Sequence, residues 1–299
     1  GGGVEEQLDA LVKMGSLVLS ETVPSAGRAQ PELAVVDDRM VWDKFHAVHN
    51  KALKYYKDKR YLLQAFPEIV SSTEKIIFEV GAGTGAAMWP ILEASPNARF
   101  VGVDFEGPVE LLKKRRCLLP ATVQSKLHFF VCDATKDDLV TPAVVEAIPA
   151  IESGADVVLM IFCLSACPVA SYGTIFKKIS QVLKAGGILC FRDYGLYDTR
   201  HLKAMKNIAL SLERRNNNVN KKSETKPVKD AWRMLESTRS FLRNDDTRAY
   251  FFSKEDVDSL ARGAGLSVLR SEYACVKNVN RKDQSVRYRC FLNAVYMKE

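Results

Sequence analysis

The stretch Lys75–Gly85, KIIFEVGAGTG, constrains this chain more than any other. Ile76, Ile77, Phe78 and Val80 form a short, partly β-branched apolar run of strand length. It breaks at Gly81-Ala82-Gly83-Thr84-Gly85, and Ala86-Ala87-Met88-Trp89 can then start a helix. Strand, glycine loop and helix, in that order, open a nucleotide-binding α/β unit. The glycines let the backbone turn tightly and lie against a ligand with no Cβ in the way. The next apolar run, Arg99–Val103, closes on Asp104. An acid about 20 residues past such a loop can accept hydrogen bonds from both ribose hydroxyls. The spacing here is G-x-G-x-G, one residue short of the dinucleotide fingerprint that seats a pyrophosphate. It suits a nucleoside ligand without phosphate, and S-adenosylmethionine is such a ligand. No Lys follows the loop as a nucleoside-triphosphate site requires.

The 299 residues can hold one large α/β domain with additions, and 47% hydrophobic content is that of a globular chain. The formal charge of +7 suits a polyanionic partner. The basic residues cluster at Lys51–Arg60, Lys113–Arg116, Lys221–Lys229 and Arg281–Arg289. Any one cluster is ordinarily a solvated face; four of them beside a nucleoside motif favour a nucleic-acid substrate. Seven cysteines occur with no C-x-x-C pair, so no zinc ribbon or thioredoxin motif is expected, and no metal. Cys132, Cys163 and Cys190 sit in apolar runs as reduced core residues, which points to the cytoplasm or another reducing compartment. The most apolar stretch, Val157–Cys167, is too short to span a bilayer. Glu5, Glu6 and Asp9 are out of place in a transit peptide.

Val4–Leu19 reads as a helix, Ser20–Pro31 as a linker, and Val41–Tyr61 as an amphipathic helix with Trp42, Phe45 and Leu53 on one stripe. Residues 1–72 thus form an N-terminal helical segment, and 73–299 the main domain. Strands are expected at 76–80, 99–103, 127–132, 156–162 and 187–193, with helices at 86–94, 107–116, 142–149 and 170–184. This alternation implies a parallel sheet covered on both faces, with its ligand at the carboxyl ends of the strands. Asp133, ending the third strand, can there accept from an adenine amino group; its bland alternative is a helix cap for the segment that follows. A basic loop insertion is expected near 207–235. Ser253 and Asp256 spell a helix start, and Ser267–Val276 and Arg287–Tyr296 pair antiparallel at the sheet edge.

Five stretches carry a family resemblance: Trp42-Asp43-Lys44-Phe45, Lys57-Asp58-Lys59-Arg60, DVVLMIFCLSA from Asp156, FRDYGLYD from Phe191, and DTRAYFF from Asp246 with Val279-Asn280-Arg281. On these residues the chain resembles the tRNA N3-methylcytidine methyltransferases over residues 40–298, the 207–235 insertion aside. The resemblance implies a Rossmann-like class I methyltransferase fold: a seven-stranded, mostly parallel sheet with one antiparallel edge strand, plus N-terminal helices that close over the cofactor and touch tRNA. It implies S-adenosylmethionine contacts at Trp42, His46, Gly81, Gly83, Asp104, Phe105, Asp133, Ala134 and Ile161, with S-adenosylhomocysteine as product. His46 stands where the family has Tyr, and the family's K-D-R becomes K-D-K-R, so Lys59 or Arg60 takes the Arg role. The implied substrate is the cytidine at position 32 of the tRNA anticodon loop. A helper protein, an aminoacyl-tRNA synthetase or another tRNA-binding protein, is an implied partner.

Cytosine N3 carries an in-plane lone pair at neutral pH, so methyl transfer needs positioning and electrostatics rather than a strong base. The product base is cationic, and Asp193 is the candidate to stabilise it, with Tyr194 stacking and Phe162 and Ser165 lining the pocket. Candidate tRNA contacts are Lys51, Lys54, Lys57, Lys59, Arg60, Arg192, Arg248, Arg281, Lys282 and Arg287. Three other readings stand beside this one. A nicotinamide-dependent oxidoreductase fits the G-x-G and Asp104 but lacks the third glycine. A non-catalytic RNA-binding subunit leaves the cofactor positions without a purpose. A methyltransferase acting on another RNA or a small molecule remains, the latter leaving the basic clusters unexplained.

Overall fold

The structure is a computed structural model and describes residues 37–49, 57–207, 232–235, 237–279, 284 and 286–299. The helix expected at Val4–Leu19, the Ser20–Pro31 linker and most of the basic insertion lie outside these residues, as do Lys51, Lys54, Arg281 and Lys282. Among the described residues, ten strands form two sheets. They are β1 (Ile76–Val80), β2 (Arg99–Asp104), β3 (Leu127–Val131), β4 (Ala155–Ile161), β5 (Leu183–Tyr194), β6 (Arg233–Met234), β7 (Ser240–Leu242), β8 (Arg248–Tyr250), β9 (Leu266–Val279) and β10 (Val286–Lys298). The large sheet runs β3-β2-β1-β4-β5-β10-β9. Its first five strands are mutually parallel, and β10 runs against both β5 and β9. The opposed strand therefore sits one place in from the edge, with β9 outermost.

The helices are α1 (Asp38–His49), α2 (Met88–Ala94), α3 (Glu106–Arg116), α4 (Pro142–Ala147), α5 (Tyr172–Val182), α6 (199–207) and α7 (Lys254–Gly263), with single turns at Leu62–Ala65 and Ala121–Gln124. Side chains of β1 alternate between two cores. Ile76, Phe78 and Val80 pack with α5 and α7 through Ile175, Phe176, Val257 and Ala261. Ile77 faces the other way, with Met88 and Ile91 of α2, Val109 and Leu112 of α3, and the Leu62 turn. Both faces are thus covered, as a central strand buried along its whole length requires.

Several boundaries differ from the sequence reading. Of the helix expected over Val41–Tyr61, the described residues are helical to His49, and 57–59 are not helical: Lys59 N donates to Ala86 O at 2.7 Å and ties this segment to the end of the glycine loop. Helix α4 stops at Ala147, two residues before Pro149. Strand β5 starts at Leu183, so Gly186 and Gly187 lie inside it; a Cβ on Gly187 would meet Ala155 O at 2.8 Å. The capping box at Ser253 and Asp256 forms on α7. The small sheet β6-β7-β8 was not foreseen, its strands being two or three residues long.

Candidate active site

At the carboxyl end of β1 the glycine loop is pinned from below and left open above. Gly81 N and Ala82 N donate to Val103 O at 2.9 and 3.1 Å, and Gly83 N donates to Asp104 Oδ2 at 2.7 Å. Gly81, Gly83 and Gly85 all take positive φ, where glycine costs least. A Cβ on Gly81 would strike Cys163 Sγ at 2.5 Å, whereas one on Gly83 would meet nothing within 4 Å. Gly83 therefore borders free space. Arg115 stacks on Trp89 at 4.3 Å and donates to Thr84 O, which fixes the far side of the loop.

Asp104 ends β2, as expected, and its carboxylate also accepts from Phe105 N at 2.7 Å. Burial pushes it up to about 6, against the pull of the Gly83 and Phe105 N–H groups. Phe105 is the N-cap of α3. Asp133 is turned into its own turn: Oδ1 accepts from Thr135 N at 3.0 Å and Thr135 Oγ1 at 2.5 Å, and Lys136 sits 3.2 Å from Oδ2. Burial acts to raise it, but these partners hold it below the usual carboxylate range. The carboxylate thus closes a turn, where the sequence reading had offered a helix cap as its alternative. Ala134 is half-buried beside it, and Ile161 is buried at the end of β4.

Helix α1 crosses this end of the sheet. Asp43 Oδ1 accepts from Gly107 N at 3.1 Å, in the first turn of α3, and Asp38 is gripped by Arg248 Nε at 2.8 and 3.0 Å. Trp42, Phe45 and His46 cluster on one side of α1, with Trp42 and Phe45 ring centroids 5.3 Å apart and His46 buried. Asp43 adds to the upward push on Asp104, and Asp133 to that on Asp38, so α1 lies over the ends of β2 and β3. Arg248, a candidate tRNA contact, is here the tether of α1 to β8.

The ends of β4 and β5 form an aromatic cluster. Phe162 has φ 59°, a left-handed backbone that is an outlier for a bulky residue. Its ring lies 5.2 Å from Tyr194 and 5.4 Å from Phe291. Asp193 is fully buried; Ser165 N donates to Oδ2 and Tyr194 N to Oδ1, each at 2.9 Å. Burial raises it to about 6, and the Ser165 hydrogen bonds counter that. Its carboxylate braces the turn carrying Phe162 and Ser165. Arg192 is 5% exposed, stacked at 4.7 Å on Tyr61 and 4.5 Å on Phe291, and donates to Asn293 Oδ1 at 2.5 Å. It is buried scaffolding of this cluster rather than a surface contact.

Two charged residues meet beneath the loop. Glu79, fully buried in β1, has an Oε2 with no hydrogen-bond partner among the described residues. Burial pushes it well up, and burial pushes nearby Lys59 down. Lys59 Nζ stands 5.5 Å over the Phe162 ring, so Lys59 turns inward while Arg60 faces outward to Glu93 at 2.7 Å and Lys57 is exposed. Sequence reasoning missed Glu79, although a lone acid in an apolar strand before a glycine loop was the available signal. A separate open groove, lined by Val169, Tyr172, Tyr250 and Leu260, includes none of the loop or strand-end residues above.

The methyltransferase-domain family matches residues 78–189, from β1 into β5. A tRNA N(3)-methylcytidine methyltransferase of Schizosaccharomyces pombe is 27% identical over 264 residues, covering 86% of this chain and 73% of that protein. The human tRNA N(3)-cytidine methyltransferase METTL6 is 28% identical, covering 86% of this chain and 79% of that protein. Among solved structures, an SAM-dependent methyltransferase from Anabaena variabilis superposes with a TM-score of 0.56 at 14% identity, covering 92% of this chain and 99% of that one. The fold is that of the SAM-dependent, Rossmann-like methyltransferases, and in sequence the chain is similar to the tRNA N(3)-methylcytidine methyltransferases.

Proposed function

We propose that this chain is an S-adenosylmethionine-dependent tRNA methyltransferase that forms N3-methylcytidine in the anticodon loop, at position 32. The observation that carries the reading is that an open glycine cradle with its acid, Asp104, and an aromatic cluster, Phe162 and Tyr194, share one end of the sheet. The residues fit S-adenosylmethionine. The space over Gly83 admits a ligand, Asp104 stands at the ribose position of such folds, and the unpartnered Glu79 Oε2 suits a ligand ammonium. When bound, the cofactor supplies an activated methyl group to a neutral ring nitrogen.

The chain's own residues then bind, orient and exclude water. Tyr194 and Phe162 offer faces for a flipped pyrimidine, and an anticodon-loop base costs less to unstack than a paired one. Asp193 acts as a positioning residue, holding Phe162 and Ser165 in place. Helix α1, tethered through Asp38 and Asp43 in its N-terminal half, serves as the lid, with Trp42 and His46 on it. Lys57 and Arg60, with the basic stretches outside the described residues, supply tRNA contacts, aided by a tRNA-binding helper protein. The reduced cysteines suit the cytoplasm, and no described helix is long and apolar enough to cross a membrane.

The test is incubation of the purified chain, with and without a cell extract, with methyl-labelled S-adenosylmethionine and tRNA, followed by nucleoside mass spectrometry. Label in N3-methylcytidine is expected. Label confined to another base, or to small molecules of the extract, refutes the substrate assignment.

A further inference from the structure

Beside Tyr194 three arginines converge that no role above uses. The Arg243 guanidinium lies 5.5 Å from the Tyr194 ring and 5.6 Å from Trp232. That of Arg289 lies 5.7 Å from Tyr194 and 5.1 Å from Phe291. Arg200, exposed in the first turn of α6, is close enough to both for their charges to act on its own. They come from three separate places: α6, the end of β7 and β10.

Three guanidinium groups here stand against two buried carboxylates, Asp198 and Asp193, and Asp193 is close enough to Arg243 for that charge to act on it. Asp198 is fully buried and takes Arg289 Nε at 2.6 Å, Cys290 N at 3.0 Å and Arg200 N at 2.8 Å. Arg243 donates to an uncharged hydroxyl, Thr247 Oγ1, at 3.0 Å. Among the described residues, neither Arg200 nor Arg243 forms an ion pair. Arg243 Nε and Arg289 Nη2 are shielded from solvent with no hydrogen-bond partner among the described residues. Gathering like charges and stranding two N–H donors costs free energy, and an incoming anion relieves both costs at once.

We infer that Arg200, Arg243 and Arg289 form a binding site for one phosphodiester of the single-stranded RNA that carries the target base. This rests on the methyltransferase reading for its location, because Tyr194 is shared with the proposed base pocket. Guanidinium forks match phosphate oxygens, and the aromatic faces under Arg243 and Arg289 hold those forks in place. A phosphate fixed here sets the register of the backbone, so that one nucleotide and no neighbour reaches Phe162 and Tyr194. The ribbon where β9 and β10 pair beyond Phe291 leads away from the site, with Tyr288 62% exposed on it.

Arg289 also holds Asp198, so the test uses Arg200→Ala and Arg243→Gln. Binding of an anticodon stem-loop RNA is followed by anisotropy across a salt series, and S-adenosylhomocysteine binding by calorimetry. Each variant should bind the RNA about tenfold more weakly, and the salt slope should fall by about 0.7 for the one lost phosphate contact. Cofactor affinity should be unchanged. A neutral methylphosphonate linkage beside the target cytidine should lower wild-type affinity equally, with no added loss in the variants. An unchanged salt slope, or a parallel loss of cofactor affinity in both variants, overturns the assignment. So does a methylphosphonate RNA that binds normally while inorganic phosphate still competes, which marks a free-anion site. If tRNA accepts no methyl group but the slopes differ as stated, the reaction assignment fails and the phosphate site stands.

Discussion

At the scale of single residues, the site depends on acids held away from their ordinary behaviour. Asp104 is pushed up to about 6 by burial, so it is mostly ionised at neutral pH and increasingly protonated below. Hydrogen bonds from a ligand's hydroxyls favour the ionised form. Affinity for S-adenosylhomocysteine should therefore be flat above about pH 6 and fall by up to about tenfold per unit below it. For folding the sign is opposite. A raised carboxyl pKa contributes stability that is lost as pH rises through it. Calorimetry from pH 5 to 8 checks the binding claim, and Asp104→Asn should bind weakly with no such break; a break that survives in the variant belongs to another group, such as Asp193. The placement of Gly81, Gly83 and Asp104 was legible because it follows from backbone freedom and strand-end spacing. The position of Asp193 was legible, but not that Ser165 N and Tyr194 N occupy its oxygens, since these are contacts of the folded chain.

At the scale of elements, the decisive feature is how α1 is held. Asp43 with Gly107, and the exposed pair Arg39 with Glu106, join it to α3, and Asp38 with Arg248, 210 residues apart in sequence, joins it to β8. Both partners of the contact to β8 have side chains only 16% exposed, so it is worth more than a surface ion pair. Arg248→Ala should weaken α1 docking by about 1–3 kcal/mol, leaving a half-buried carboxylate unpaired. Faster amide exchange in α1 and weaker cofactor binding are expected, with exchange in β4 unchanged; protection of α1 at the wild-type level counts against the tether. No periodicity reveals a pair so far apart, which is why Arg248 read as a nucleic-acid contact. The small sheet escaped for a different reason: strands of two or three residues carry no alternation to detect. By contrast, β1, β2 and β4 announced themselves, because a strand buried on both faces needs a nearly continuous apolar run.

At the scale of the whole molecule, stability rests on two cores either side of one sheet. Phe176 is fully buried and packs 6.3 Å from Phe191 and 6.4 Å from Tyr296, joining α5 to β5 and β10. Phe176→Ala should cost about 3–5 kcal/mol, read as a lower denaturant midpoint with an unchanged slope. A loss under about 1 kcal/mol means the cavity collapses, contrary to the close packing argued here. The place of β10 between β5 and β9 bears on how the molecule assembles. Strands β1 to β5 can pair among themselves as they emerge, and they bring the glycine cradle with them. Asn293, which accepts from Arg192, and Arg289 and Cys290, which donate to Asp198, lie on β10, about a hundred residues later. Ordering across so long a loop is slow, and β5 shows a bare edge in the meantime. A folding intermediate stalled at that point would already hold the nucleoside half of its chemistry, with nowhere yet to receive a base.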